Sequence, residues 1–504
     1  MTVFDYGAML VYMVVVLAVG AWFSRGERDT ETYLLGGRRI SFWLVGISYL
    51  MSLLSTNSLV QIPGWAYAKG VTMALGALVM PVAALAAFYL FVPFFFQYKI
   101  FTPFEYLERR FSSQTRLAVS LLYLSTRIIY VAMVLYSCSQ VFQGAIGWSP
   151  EVTIPIVGVV GVLYTMMGGI RAVIWTDFLQ FLVMSAGLVA ITIKLTHGVP
   201  GGAWGAVEYA FENGRGMPEL SQAEFYRFDI YAEMTIWMII ISRFSQFLFY
   251  NSSEQIAIQR LLTTSSFDQA KRAVWMYVAL LLPMMLVLWY LGLAVFSFYH
   301  QQPVEVRPEK GDHALFQFIV QELPTPLPGI LMSAMLAAVM STVDSGVNAF
   351  ATVATKDIYV RFLRPQASES DQVRVSRLMT LTTGTFAVTF ALVLSAVARV
   401  FQQSVFELDN ICHALVYVLP GIFLLGVINR RIGARGVFLA GTIGLAAVVA
   451  MLVWFYIGKT QGRSIGFLYV NVTGLLVTFL AGTVISFFLR RPRDDRWKGL
   501  TLWK

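Results

Sequence analysis

Charge is scarce in this sequence. Only 13% of its 504 residues are Asp, Glu, Lys or Arg, where soluble domains carry about 25%, so the composition excludes an ordinary water-soluble globule. Cysteine is nearly absent. The two present, Cys138 and Cys412, lie in apolar runs and offer neither a disulfide framework nor a CxxC centre. Histidine is rare too, and His197, His300, His313 and His413 have no metal-ligand spacing. There is no phosphate-binding loop of the GxxxxGK(S/T) type, which argues against ATP-driven pumping. Neither GxSxG nor HExxH nor a paired-carboxylate arrangement is present, so no enzyme is expected.

What is abundant is apolar surface. Hydrophobic residues make up 57% of the chain and mean hydropathy is +0.67. A membrane span needs roughly 20 apolar residues. Thirteen candidates can be marked: 6–23, 41–64, 71–97, 117–146, 151–168, 174–196, 232–251, 273–299, 327–353, 376–398, 405–428, 436–457 and 465–489. The first runs into SRGER with neither a basic start nor a small-residue cleavage site, so it is expected to be an anchor rather than a signal peptide. With the N-terminus outside and the C-terminus cytoplasmic, 26 of the 37 Lys and Arg fall on the inner face, 8 on the outer face and 3 (Arg127, Lys194, Arg243) within spans. Positive charge prefers the cytoplasmic side, which fixes this orientation and explains the net charge of +9 without nucleic acid. The outer loop 197–231 is expected to form a partly ordered cap. One membrane unit in the inner (plasma) membrane is expected across 1–504.

Three spans carry polar residues where oil should continue. In 41–64 the run LLSTNSLVQIPG brings Ser55, Thr56, Asn57, Ser58, Gln61 and Pro63. In 232–251 the run SRFSQFLFYNSSEQ does likewise. In 327–353 the stretch MLAAVMSTVDSGVNAF, residues 335–350, places Ser341, Thr342, Asp344, Ser345 and Asn348 inside an apolar helix. Helical spacing puts Ala338, Ser341, Thr342 and Ser345 on one face. Hydroxyls can simply bond back to the carbonyl one turn earlier. A Ser-Thr pair with a carboxylate two residues on points instead to a site for a hard monovalent cation. Carriers driven by ion gradients break helices near the midplane, where freed carbonyls and small hydroxyls hold the ion.

These stretches resemble the sodium:solute symporter family. AAVMSTVDSGVNAFATVATKDIY is similar to its sodium-site helix, LYTMMGGIRAVIWTDFLQ to its fourth-to-fifth core connection, EQIAIQRLLTT to the segment after its second broken helix, and PGIFLLGVINRRIGARG to its tenth-to-eleventh connection. The resemblance implies an all-α polytopic fold of the leucine-transporter type. One extra N-terminal helix (6–23) precedes inverted repeats over 41–196 and 232–428, and two further helices occupy 436–489. It implies sodium-coupled symport by alternating access, with sodium ions, a small polar solute and the lipid bilayer as partners; a monomer is expected.

Carried over by residue, the resemblance puts a sodium ion on the carbonyls of Met51, Leu54 and Ala338 and the hydroxyls of Ser341 and Thr342. A second sodium would use Asp177, Asp344 and Ser345. Asp344 departs from the hydroxyl usual there, so it is a ligand, a proton site, or a structural partner of Arg243 or another cation. Asp177 could also cap a helix. Solute contacts would come from Ser55, Ser58 and Gln61 on the first broken helix and Gln246, Asn251 and Ser252 on the second. Ala279 and Glu254 stand where sugar carriers of the family have Lys and Asn, and the Glu-Gln pair is closer to the sialic acid and monocarboxylate branches. In the sialic acid branch an Arg on the third core helix receives the solute carboxylate. Tyr130 occupies that position here and Arg127 lies one turn earlier, so Arg127 is either that receptor, a structural ion pair, or a side chain reaching for the cytoplasm. A sugar symporter is the alternative substrate class, and a sensor or channel on the same scaffold the alternative mechanism.

Overall fold

The computed structural model describes residues 1–23, 29–54, 56–232, 234–303, 306–308, 311–401, 411, 414–461, 465–489 and 498–502. Regular structure among these residues is helical throughout. The principal helices are α1 (Val3–Phe23), α2 (Phe42–Leu53), α3 (Thr56–Lys69), α4 (Gly76–Gln97), α5 (Ser113–Ile146), α6 (Pro150–Gly198) and α7 (Ile236–Ser252). They continue with α8 (Gln255–Leu262), α9 (Phe267–His300), α10 (Leu327–Val353), α11 (Glu369–Phe401), α12 (Val418–Ile428), α13 (Ala434–Thr460) and α14 (Phe467–Phe488). Among the described residues, nine helices are long and apolar enough to cross a membrane, or ten if α2 and α3 count as one bent span. This is a multi-pass membrane protein.

The helix starts follow capping chemistry. Ser112 Oγ accepts from Thr115 N at the head of α5, Thr235 Oγ1 from Met238 N before α7, and Ser266 Oγ from Gln269 N before α9. Each satisfies a backbone donor that the first turn leaves free.

Helix α10 is the central pillar: 94% of its most apolar window is buried inside the protein, against 22% for α1. Its neighbours are α6, α5, α1 and α11, with α2 and α8 on the polar side. The mid-helix carboxylate and hydroxyls therefore meet other helices rather than lipid tails. Helix α1 runs along it, and Asp5 Oδ1 accepts from Gly329 N at 3.0 Å in the first turn of α10. At its other end α1 closes on α6, where a Cβ on Gly20 would stand 2.5 Å from that of Tyr164.

Helix α6 is too long for one crossing and is broken at Gly169 (φ 51°, ψ −151°). In an unbroken helix Tyr164 and Asp177 would lie about 20 Å apart along the axis. Here Tyr164 bonds Asp344 and Asp177 bonds Ser341, one turn apart on α10. The chain has turned back on itself, which accounts for the two expected spans 151–168 and 174–196. That backbone region is close to glycine-only and costs other residues about 1–3 kcal/mol. Gly169→Ala is expected to lower the thermal midpoint of the purified protein by several degrees; an unchanged midpoint would remove the turn's special requirement.

The α2–α3 pair bends by 57°. Helix α2 stops at Leu54 (φ −89°, ψ 93°), within the polar run expected to interrupt the span. In the second polar run the helix stays intact from Ile236 to Ser252 and breaks only at Ser253 and Glu254. The break is thus late in SRFSQFLFYNSSEQ, so Arg243, Gln246, Asn251 and Ser252 sit on continuous helix and not on unwound chain. Outside the bundle, loop 197–231 lies over the end of α3, with Arg215 Nε donating to Tyr67 O at 2.7 Å and Val71 N to Gly216 O at 3.0 Å. The first part of the expected span 405–428 falls on 405–410 and 412–413, outside the described residues, as do Ser55 and Cys412.

Candidate ion and solute site

The polar face of α10 meets α2, the second half of α6, and α8. Ser341 Oγ donates to Asp177 Oδ1 at 2.5 Å, and Thr342 Oγ1 to the Ala338 carbonyl at 3.0 Å. Ser345 Oγ contacts Asp344 Oδ1 at 3.0 Å and the Ser341 carbonyl, while Tyr164 OH donates to Asp344 Oδ2. Each hydroxyl of the Ser-Thr pair thus sends its single proton elsewhere and keeps lone pairs for a cation.

Arg260 binds this group together. Its Nε donates to Ser48 Oγ at 2.8 Å and Ser48 O at 3.1 Å, and Nη1 to Ile256 O at 3.0 Å. Nη2 donates to Asp177 Oδ2 at 2.9 Å and approaches Ser345 Oγ at 2.5 Å. Ser48 Oγ completes the shell of Asp177 Oδ2 at 2.5 Å. Arg260 is 1% exposed and Asp177 and Asp344 are fully buried. Asp177 is therefore a node of a buried ion-pair network rather than a helix cap. Asp344 does not pair with Arg243; its direct partners are Tyr164 and Ser345. Two carboxylates against one guanidinium leave a formal excess of one negative charge when both acids are ionised.

Met51 and Leu54 lie at the C-terminal end of α2, which packs against α6 and α10. The last carbonyls of a helix lack intrahelical donors and carry the negative end of its dipole. Leu50 O is already taken by Leu54 N at 3.0 Å, and the remaining carbonyls at this end suit a cation. The end of α2 and the Ala338 carbonyl with its hydroxyl pair thus lie on two helices that pack against each other, and these α10 residues are buried.

The solute candidates fall into two groups. Ser58 is half-buried and Gln61 exposed on α3, and Gln246 is half-buried on α7, where Arg243 Nη1 donates to its Oε1 at 3.0 Å. These three have accessible surface. Asn251 and Ser252 are fully buried. Asn251 accepts from Tyr49 OH at 2.9 Å, which ties α7 to α2, and donates to Phe247 O at 3.0 Å, and Ser252 Oγ faces Ser253 Oγ at 3.3 Å.

Arg127 is engaged. Its Nη2 donates to Glu254 Oε2, and its guanidinium lies 5.0 Å from the Tyr123 ring and 4.9 Å from that of Tyr130. Glu254 Oε1 also accepts from Tyr123 OH at 2.8 Å and from Ile256 N at 3.1 Å. The pair ties α5 to the break between α7 and α8, and a solute carboxylate at Arg127 would compete with Glu254. Of the three readings open for Arg127, the structural ion pair is the one the geometry displays. Glu254→Gln is expected to weaken this tie and lower the thermal midpoint, since breaking a buried pair costs about 3–5 kcal/mol.

Sequence reasoning missed Arg260, Ser48, Tyr164 and the Arg127–Glu254 pair. Arg260 stood among the inner-face charges, but it is buried. The available signal was its place inside the apolar run IAIQRLL, where an isolated cation needs an acid from elsewhere.

A model of the sodium:solute symporter family matches residues 33–444. The chain is 28% identical over 489 residues to the sodium/sialic acid symporter SiaT of Proteus mirabilis (strain HI4320), covering 96% of this chain and 94% of that protein. It is 26% identical to the human sodium-coupled monocarboxylate transporter 1, over 90% of this chain and 73% of that protein. Among solved structures, a Na+-coupled sialic acid symporter in a substrate-bound outward-open state superposes with a TM-score of 0.89 at 26% identity, covering 98% of this chain and 99% of that one.

Proposed function

The chain belongs to the sodium:solute symporter family, and from that premise we propose that it imports a small carboxylate-bearing solute, a sialic acid or a monocarboxylate, together with sodium by alternating access. Sodium is cargo and driving ion. In this reading one sodium binds between the end of α2 and α10, on the carbonyls of Met51, Leu54 and Ala338 and the hydroxyls of Ser341 and Thr342. A second cation position lies at Asp177, Asp344 and Ser345, where Arg260 compensates one of the two acids. Ser58, Gln61 and Gln246 face the solute. The chain acts as a monomer of thirteen spans, with α6 counted as two, N-terminus outside and C-terminus cytoplasmic. The repeats are 41–196 and 232–428.

The observation that carries the reading is the buried hydroxyl pair of α10 set against a helix that ends mid-span. Binding free energy from the ion gradient has to be applied where a helix can rearrange, and these residues join the two. The near end-to-end likeness to sialic acid symporters favours a carboxylate over a neutral sugar.

A solute panel tests the substrate class. A ligand at about 100 times its Kd stabilises the folded state by about 2.7 kcal/mol, which is readable as a thermal shift. N-acetylneuraminic acid or lactate is expected to raise the midpoint in sodium chloride and not in choline chloride. Stabilisation by galactose alone would promote the sugar alternative.

A further inference from the structure

We propose that Arg243 receives the solute's carboxylate, with Gln246 and Tyr250 binding polar groups further along the same molecule. The proposal rests on the carboxylate reading above and assigns that anion a site the sequence did not single out. Arg127 and Arg243 are two cations within the spans, and they differ in one respect. Arg127 has Glu254. Arg243 has no acidic partner among the described residues: its one direct hydrogen bond is to the Gln246 amide oxygen, and the ionisable groups around it are the phenols of Tyr250 and Tyr417. Its Nε is buried without a partner. An intramembrane guanidinium without a counter-ion is costly and is expected to mark a functional site.

The surroundings are shaped for a ligand. Arg243, Gln246 and Tyr250 share one face of α7 at i, i+3 and i+7, with Gln246 Nε2 donating to Tyr250 OH at 3.3 Å. Across from them α4 begins at Gly76, where a Cβ would stand 3.1 Å from both Cγ and Nε of Arg243. Glycine there leaves the guanidinium its space. Arg243 as a whole is half-buried rather than sealed in the core. A planar fork binds a carboxylate through two parallel hydrogen bonds, which a lysine cannot reproduce. The ligand class is therefore a small carboxylic acid with hydroxyl or amide groups, its acid end towards Arg243. In the absence of solute a charge that no acid among the described residues pairs is a burden on the fold. Ligand binding removes it.

The test compares each acid with its neutral methyl ester, using N-acetylneuraminic acid and lactic acid, on purified full-length protein in sodium chloride. Wild type is expected to prefer one of the acids over its ester by about 30-fold or more, the loss typical of removing a buried charge partner. Arg243→Gln should bring acid and ester to the same weak affinity, while sodium binding without solute is retained. Its solute-free thermal midpoint should equal or exceed that of wild type, because an uncompensated charge has gone; a purely structural arginine would lower it. Where Arg243→Gln folds poorly, Arg243→Lys is read instead, with a several-fold loss for the acid and none for the ester. Acid preference retained in both variants overturns the proposal. If it is lost in Arg127→Gln instead, the carboxylate reading survives and the site moves to Arg127. If wild type prefers neither acid over its ester, the carboxylate reading fails and the anion site with it.

Discussion

Replacing Thr342 by alanine should raise the sodium concentration for half-maximal uptake roughly tenfold. The change removes one of five proposed oxygen ligands, and a contact to a charged group is worth about 1.5–3 kcal/mol, or at least tenfold at 1.4 kcal/mol per decade. The alternative is that Thr342 only bonds back to Ala338 O, as the 3.0 Å contact allows. In that case the methyl is neutral and sodium dependence stays put. Thr342→Ser separates the two, because it keeps the hydroxyl and should keep sodium affinity within a few-fold. Ser341→Ala is expected to shift sodium dependence similarly and also takes a donor from Asp177. Sodium dependence unchanged in both alanine variants would remove the site.

Asp177→Asn and Arg260→Met should each destabilise the protein strongly, by about 3–5 kcal/mol, the usual consequence of stranding one half of a buried pair. Arg260 makes contacts to Ser48, Ile256, Asp177 and Ser345, so its loss uncouples α2, α6, α8 and α10 at one point. The double variant Asp177→Asn/Arg260→Met should recover most of the thermal midpoint, because the formal excess at the site returns to the single negative charge of the wild type. Its sodium response should not recover. If Asp177 carries a second ion, the Hill slope for sodium falls in the double variant as it does in Asp177→Asn. Asp344→Asn leaves the ion pair intact and reads the remaining negative charge alone. It lowers the sodium slope if Asp344 is a ligand, and removes pH dependence while keeping that slope if Asp344 carries a proton. Full recovery of sodium dependence in the double variant would reduce the network to a structural role.

The helical plan was legible because each span states its length in oil. The polar interruptions were legible for the same reason, since Ser341, Thr342 and Asp344 stand out against Leu and Val. The reversal at Gly169 could be read from the gap between two apolar runs, although the helix continues to the glycine on one side and resumes after it. What a linear reading lacked was partnership. Arg260 and Asp177 are 83 positions apart, Arg127 and Glu254 are 127 apart, and no periodicity within one helix records which acid faces which base. For that reason the positive-inside tally counted Arg260 as a surface charge, and Arg127 kept three readings. Arg243 drew notice in sequence only as a cation within a span and a candidate partner of Asp344; among the described residues its hydrogen-bond partner is Gln246.

The measurement that tests the central claim most directly is concentrative uptake of radiolabelled N-acetylneuraminic acid or lactate into proteoliposomes holding the full-length protein. An inward sodium gradient should drive one of these solutes to an internal level above the external one. A sodium ionophore should abolish the overshoot, and choline in place of sodium should give none. Uptake of both solutes at the same rate with and without the gradient, never exceeding equilibrium, would contradict sodium-coupled symport.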